Sequence, residues 1–322
     1  MSGRWLAGKA GAAMLTLIFV IIFNFFLFRV MGDPTTQLAR LPNSSPEEIA
    51  KLRADYGIDK PLAGQFLDYA GDTVRLDFGV SQRSRETVWS EIKAALPWTL
   101  LLVGTGTLLA TLIGSWMGVV AATRRGQKTD DGLLGFSLLT YAAPEYWIGI
   151  ILILVFAVAI AILPAGQQVT PGVEFSSWIS EALSVAEHMI LPVTAMTLML
   201  LGQYFLIMRS SMVDVLTEDF ITVKRAIGLS HERVIRRHAV PNALLPLVTL
   251  SAIQFGAIVG GAITIETVFS WPGLGELSFN AINDKDFPVL EGTFLVFSAG
   301  VILANLAADI LYFFLDPRVQ AR

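Results

Sequence analysis

Apolar and polar positions alternate along this chain in long blocks, without the short two-residue steps of exposed strands. An apolar run occupies 10–28, and others follow at 99–122, 189–208, 244–265 and 291–315. Each is close to the about 20 residues that a helix needs to cross a bilayer core. A longer run falls within 133–163 and is interrupted by Pro144 and Glu145. Tilt, a kink or an interfacial entry turn would absorb its excess length. The pattern predicts an all-α polytopic membrane protein with six transmembrane helices. The first run reads as a retained span: its apolar core is long, and RVMGDP follows it in place of a small-x-small cleavage site.

The blocks between the runs carry their own patterns. In 31–97, SSPEEIAKLRADYG reads as a helix with Ser45 at the N-cap, Pro46, Glu47 and Glu48 in the first turn, and Gly57 closing it. Val88, Ile92 and Ala95 recur at helical spacing, which predicts an amphipathic helix along the membrane surface, ended by Pro97 and the interfacial Trp98. The expected organisation is therefore 1–30 as N-terminal tail and first span, 31–97 as an extracytoplasmic region, and 98–322 as the membrane core.

Composition agrees with this pattern: 54% of residues are hydrophobic and 16% charged. Such a balance excludes an ordinary soluble globule. Without cysteine, disulfides, thiolate metal sites and a catalytic thiol are excluded as well. Net charge decides little, whereas the positions of Lys and Arg decide sidedness. Arg4 and Lys9, Arg124, Arg125 and Lys128, the basic residues of 209–240, and Arg318 and Arg322 all fall on one side of the predicted spans. The short loops opposite hold only Lys285. Both termini and the 209–243 segment are expected on the cytoplasmic side.

That segment holds DFITVKRAIGLSHERVIRRHAVPNALLP. Leu216, Phe220, Val223 and Ile227 recur on one helical face, Gly228 supplies a stop, and Ser230 is placed to cap a second helix with Glu232 in its first turn. Arg233, Arg236 and Arg237 follow until Pro241 ends the element. Two readings stand at this point: a basic loop for anionic lipid headgroups, and a rigid knob that docks a cytoplasmic partner.

The segment resembles the cytoplasmic EAA loop of ABC importer permeases, in the form found in B-type subunits of the oligopeptide and dipeptide family. MGDP after the first span, SSPEEIAKLRADYGIDKPL, LDFGVS, the ILP of span four, ETVFSWPGLG and the final LDPR extend the resemblance over the whole chain. It implies the type I ABC importer permease fold. It also implies a homologous second permease subunit forming a heterodimer, two ATPase subunits and an extracytoplasmic substrate-binding protein. On that resemblance Gly228 is the motif glycine, and Lys224, Arg225, Leu229, Ser230, Glu232, Arg233 and Arg236 seat the ATPase. The chain departs from the family with Val223 and Lys224 where alanine is frequent, Ile227 where a basic residue is common, and Pro241 in place of arginine.

No G-x-x-x-x-G-K-[ST] cradle is present, so ATP and Mg are expected on partner ATPase subunits and no cofactor or metal in this chain. His231-Glu232 opens like a zinc-protease helix, but Ile235 stands where the second histidine is needed. Gly114 and Gly118 in span two, and Gly256 and Gly260 in span five, have the spacing of closely packed membrane helices. Ionisable residues within spans are costly unless paired. Candidates for the substrate pathway are Glu145, Glu266, Trp271, Asn305 and Asp309, with capping the alternative for Glu266 and interhelical bonding for Asn305 and Asp309. The expected function is non-enzymatic: half of an ATP-driven importer of di- and oligopeptides in a bacterial inner membrane, working by alternating access. Nickel, haem or another solute is the alternative cargo, and an ion-coupled secondary carrier is the rival class. Apart from membrane lipid no further partner is indicated, and none is nucleic acid.

Overall fold

The computed structural model describes residues 3–31, 60–244, 246–247 and 262–315. These residues are mainly helical, and an isolated antiparallel bridge between Val80 and Thr87 is the extended pairing among them. In order, the helices are α1 (Gly3–Met31), α2 (Leu62–Val74), α3 (Val88–Thr123), α4 (Lys128–Ala142), α5 (Glu145–Leu152), α6 (Trp178–Leu216), α7 (Asp219–Ala226), α8 (His231–Val234), α9 (262–269), α10 (Leu274–Asp284) and α11 (Phe287–Leu315). Stretches with the membrane-crossing length and composition lie at Ala7–Phe28, Val88–Thr123, Trp178–Leu216 and Phe287–Ala307. The helix expected at 45–57, most of span five and the Gly256/Gly260 pair lie outside the described residues.

Two expectations are corrected by the backbone, at Pro97 and Pro241, while the interruption expected at Pro144 takes the form of a sharp bend. The amphipathic stripe of Val88, Ile92 and Ala95 does not form a separate surface helix. Here α3 runs unbroken through Pro97 into span two, and Val88 and Ile92 are fully buried. A proline removes one ladder bond, which a long, well-packed helix tolerates. Span three, in contrast, is broken: α4 and the Glu145–Ala159 helix are bent by 104°. Pro144 holds Ala143 in an extended conformation (φ −72°, ψ 137°), as the residue before proline prefers. Beyond α5 the chain widens into π-helical turns over Ile153–Ala159. The other corrected case, Pro241, falls in the 219–243 segment described below.

The chain forms two compact units. In the unit built from Ser2–Leu96 and Leu277–Leu303, α2 packs on α1, with the Phe25 ring 5.4 Å from both Phe66 and Tyr69. Buried Asn24 donates through Nδ2 to the Tyr69 hydroxyl (2.8 Å) and to the Glu291 carbonyl (3.3 Å). Burial, reinforced by Glu291, pushes the Tyr69 phenol up, so it stays a neutral hydroxyl.

The other unit, Pro97–Glu276 with Ala304–Arg322, is organised around α6. A capping box between Ser177 and Ser180 starts α6 eleven residues before the predicted start of span four, at a signal too short for hydropathy to register. α3 lies tightly on α6. A Cβ on Gly114 would come within 2.8 Å of Tyr204 Cβ, and one on Gly118 within 2.7 Å of Met208 Cβ. The glycines let the two backbones touch where apolar burial alone drives no helix association.

Candidate coupling and pathway sites

The 219–243 segment folds as a helical hairpin. α7 ends at Ala226, and Gly228 turns the chain at φ +83°, where a side chain on an L-residue is strained. Leu229 N–H then bonds back to the Lys224 carbonyl at 3.3 Å. Ser230 occupies the N-cap position of α8, but its hydroxyl makes no capping bond. Pro241 does not end the element. The helix passes through π-helical turns at Ile235–Ala239 and on into Val240–Ala243. Val240 N–H reaches back five residues to the Ile235 carbonyl, and the Asn242 side chain donates to the His238 carbonyl at 2.7 Å. The widened turn and this side-chain bond accommodate the proline.

One side of the hairpin is anchored and the other is bare. Ile221 and Val234 are fully buried in the core, and Leu229 and Ile235 pack against it. The predicted apolar stripe is divided: Leu216, at the end of α6, packs against the core, whereas Phe220, Val223 and Ile227 point the other way, 37%, 57% and 65% exposed. Arg225, Arg233 and Arg236 of the same hairpin are exposed as well, and Arg236 pairs with Glu232 at 3.3 Å. The hairpin therefore offers a mixed apolar and cationic surface on a fixed base.

Glu266 and Trp271 meet in a separate, fully buried corner. Glu266 accepts from Thr99 Oγ1 (2.7 Å) and from the backbone N–H groups of Gly275 (2.6 Å) and Glu276 (3.1 Å). Thr99 Oγ1 in turn accepts from Leu274 N–H at 2.7 Å. The carboxylate thus caps the first turn of α10, where orphan donors and the helix dipole both favour an anion. Gly273 leaves room for it, since a Cβ there would meet the carboxylate. Trp271 Nε1 donates to the Trp98 carbonyl (3.0 Å), with the two indoles edge to face at 5.6 Å. Thr99 had no signal in the sequence. Its partners arrive from more than 160 residues away.

The remaining pathway candidates are not brought into that corner. Glu145 is half-buried in the first turn of α5, directly after the bend at Pro144. Asn305 and Asp309 lie on α11, the first exposed and the second half-buried.

Comparison with known proteins decides the family. The binding-protein-dependent transport system inner membrane component family matches residues 110–321, and the N-terminal part of the corresponding membrane component matches residues 3–103. The chain belongs to this family. It is 34% identical over 334 residues to the dipeptide transport system permease protein DppB of Escherichia coli (strain K12), covering 98% of each chain. It is 35% identical over 306 residues to the oligopeptide transport system permease protein AppB of Bacillus subtilis (strain 168), covering 94% of this chain and 95% of that one. It is 34% identical over 309 residues to the glutathione transport system permease protein GsiC of Escherichia coli O1:K1 / APEC, covering 95% and 96%. The protein is a multi-pass membrane permease subunit of an ABC importer.

The permease also contains an ion pair that its sequence did not single out. Arg209, at the foot of α6, binds Asp130 of α4 in a two-pronged arrangement, Nε to Oδ1 at 2.6 Å and Nη2 to Oδ2 at 2.8 Å. Gly126 N–H adds a third bond to Oδ2 at 3.1 Å. The Arg209 hydrogen bonds hold the Asp130 carboxyl below the usual carboxylate range, against the opposing effect of burial. Bidentate geometry makes this a stronger contact than an ordinary surface pair. A depressed folded-state value stabilises above the unfolded carboxylate's value, about pH 3.9, and that contribution fades as pH falls through the lower folded one. Asp130→Asn is expected to cost about 2 kcal/mol at neutral pH. Thermal unfolding of the detergent-solubilised permease would show a lowered Tm that converges with wild type only in strong acid. Equal Tm values at neutral pH would refute the assignment.

Proposed function

We propose that this permease forms half of an inward translocation pathway for short peptides and receives its power through the 213–240 segment. The observation that carries the coupling role is a hairpin that exposes Phe220, Val223 and Ile227 together with Arg225, Arg233 and Arg236, mounted on a buried base. An isolated lipid-binding loop needs the charges but neither the rigid turn at Gly228 nor an anchored inner face. A partner that pushes and pulls needs all three. The peptide cargo is supported by the dipeptide, oligopeptide and glutathione permeases to which the chain is similar.

In this reading the complex contains a homologous second permease, two ATPase subunits that bind ATP and Mg, and an extracytoplasmic binding protein. It sits in a bacterial inner membrane with both termini of this chain in the cytoplasm. ATP-driven closure of the ATPases draws the two hairpins together and opens the spans outward, and hydrolysis resets them. Within this chain Gly228, Leu229, Ser230 and Glu232 set the hairpin's shape, and Lys224, Arg225, Arg233 and Arg236 supply its charge. Glu145, Asn305 and Asp309 are candidates for contact with cargo, whereas Glu266 and Trp271 fix the start of α10.

The test is an affinity pull-down from native membranes. Wild type is expected to retain an ATPase subunit, and a Gly228→Pro, Arg233→Glu, Arg236→Glu variant to lose most of it at equal permease abundance. Retention of the ATPase by that variant would remove the coupling role.

A further inference from the structure

One end of the unit formed by Ser2–Leu96 and Leu277–Leu303 contains a cavity of about 250 Å³. Its polar lining comes from the turn inside the Val80–Thr87 bridge, from Glu91 of α3, and from the junction of α10 with α11. Asp286, only 2% exposed, is fixed through one oxygen: Ser81 Oγ donates to Oδ2 at 2.6 Å, and Arg83 N–H donates to it at 3.1 Å. Its other oxygen, Oδ1, is buried with no hydrogen-bond partner among the described residues. Such a carboxylate oxygen is an acceptor held in place without its donor. Asp284 and Glu91 line the same cavity, so three carboxylates face the single guanidinium of Arg83, which pairs with Asp284 from a largely exposed position. The rest of the wall is formed by the apolar Leu277, Ala281 and Val289 together with the neutral Asn280.

We propose that this cavity receives one long basic side chain, lysine or arginine, from the extracytoplasmic binding protein. An apolar wall with an acidic floor matches a methylene stem that carries a charged head. An inorganic cation has no use for the wall. The amino terminus of a peptide carries its ammonium on a short, polar backbone. Arg83 acts as the internal substitute, occupying Asp284 until the incoming cation displaces it. The proposal rests on the reading that this end of the permease, where α3 and α11 begin, faces the binding protein.

The experiment uses the complete transporter in lipid nanodiscs and the substrate-free binding protein of the same system as probe, with affinity read by biolayer interferometry. Asp286→Asn and Glu91→Gln are each expected to weaken binding about tenfold, the loss of one charge-assisted contact. Arg83→Ala is expected to tighten it, because Asp284 is released. A folding defect has no means of tightening a complex, so these opposite signs separate the proposal from damage to the turn. Weakening or no change for Arg83→Ala, no effect of Glu91→Gln, or no measurable binding by a wild-type complex that retains its ATPase would overturn it. Effects seen only with peptide-loaded binding protein would assign the cavity to the substrate's amino group and overturn docking. Retention of the ATPase, measured on the same nanodiscs, tests the coupling role independently.

Discussion

Gly118→Leu is expected to abolish accumulation of folded permease in the membrane. A Cβ at this position would lie 2.7 Å from Met208 Cβ and 2.9 Å from the backbone nitrogen of Arg209, both on α6. Backbone cannot rotate away as a long side chain can, so α3 and α6 would have to separate. The cost propagates to Gly114, whose Cβ position is 3.0 Å from the Leu201 carbonyl oxygen, one turn earlier. Overpacking of this kind costs about 3 kcal/mol, roughly a hundredfold in the folded fraction. Lipid offers no compensating hydrophobic gain for the two helices to stay together. Fluorescence-detected gel filtration of a tagged permease reads the result as loss of the monodisperse peak. Gly104→Leu on the same helix meets open space and is the matched control. Equal peaks for the two variants would show that the α3–α6 contact is not what holds this unit together.

Glu266→Ala is expected to have the next largest effect, about 3 kcal/mol of destabilisation. Three donors converge on this carboxylate, from the Thr99 hydroxyl and from Gly275 and Glu276 N–H. Alanine would leave them buried and unpaired, together with a cavity. Limited proteolysis should then open the 270–276 connection before the rest of the chain, because α10 loses its cap. Glu266→Gln retains one acceptor oxygen and is expected to recover about half of the loss. If the alanine variant kept wild-type protease resistance but lost uptake, Glu266 would belong to the pathway and not to the wall.

Much of the basic hairpin was legible from local chemistry. Gly228 marked the turn because a backbone at positive φ selects glycine whatever surrounds it. Ser230 was legible as a position but not as an interaction, since a cap needs its hydroxyl aimed at an N–H, and here it is not. Of the stripe, Phe220, Val223 and Ile227 are exposed on α7 while Leu216 packs on the core from α6, because periodicity does not say whether a face meets core or partner. Ile221, one residue off the stripe, takes the buried place.

The prolines mark the limit of local rules. Pro97, Pro144 and Pro241 carry the same missing donor, but one is absorbed, one breaks its span and one follows a widened turn. Which outcome applies depends on whether neighbouring packing outweighs one lost ladder bond, and no proline reports that by itself. The buried polar groups are similar. Thr99 with Glu266, Asp130 with Arg209 and Ser81 with Asp286 join positions 79 to 205 residues apart. Each partner alone is an ordinary polar residue.

By itself, then, the sequence determined the membrane-embedded helical class, the regions of the long apolar helices, the basic hairpin and the family. All follow from hydropathy, local conformational preference and motif order, properties carried by neighbouring residues. The tertiary structure alone decided which helices bend, which glycines meet a partner backbone, and which carboxylates are capped, paired or left with an open acceptor. Those outcomes depend on distances between remote segments, which exist only once the chain has folded.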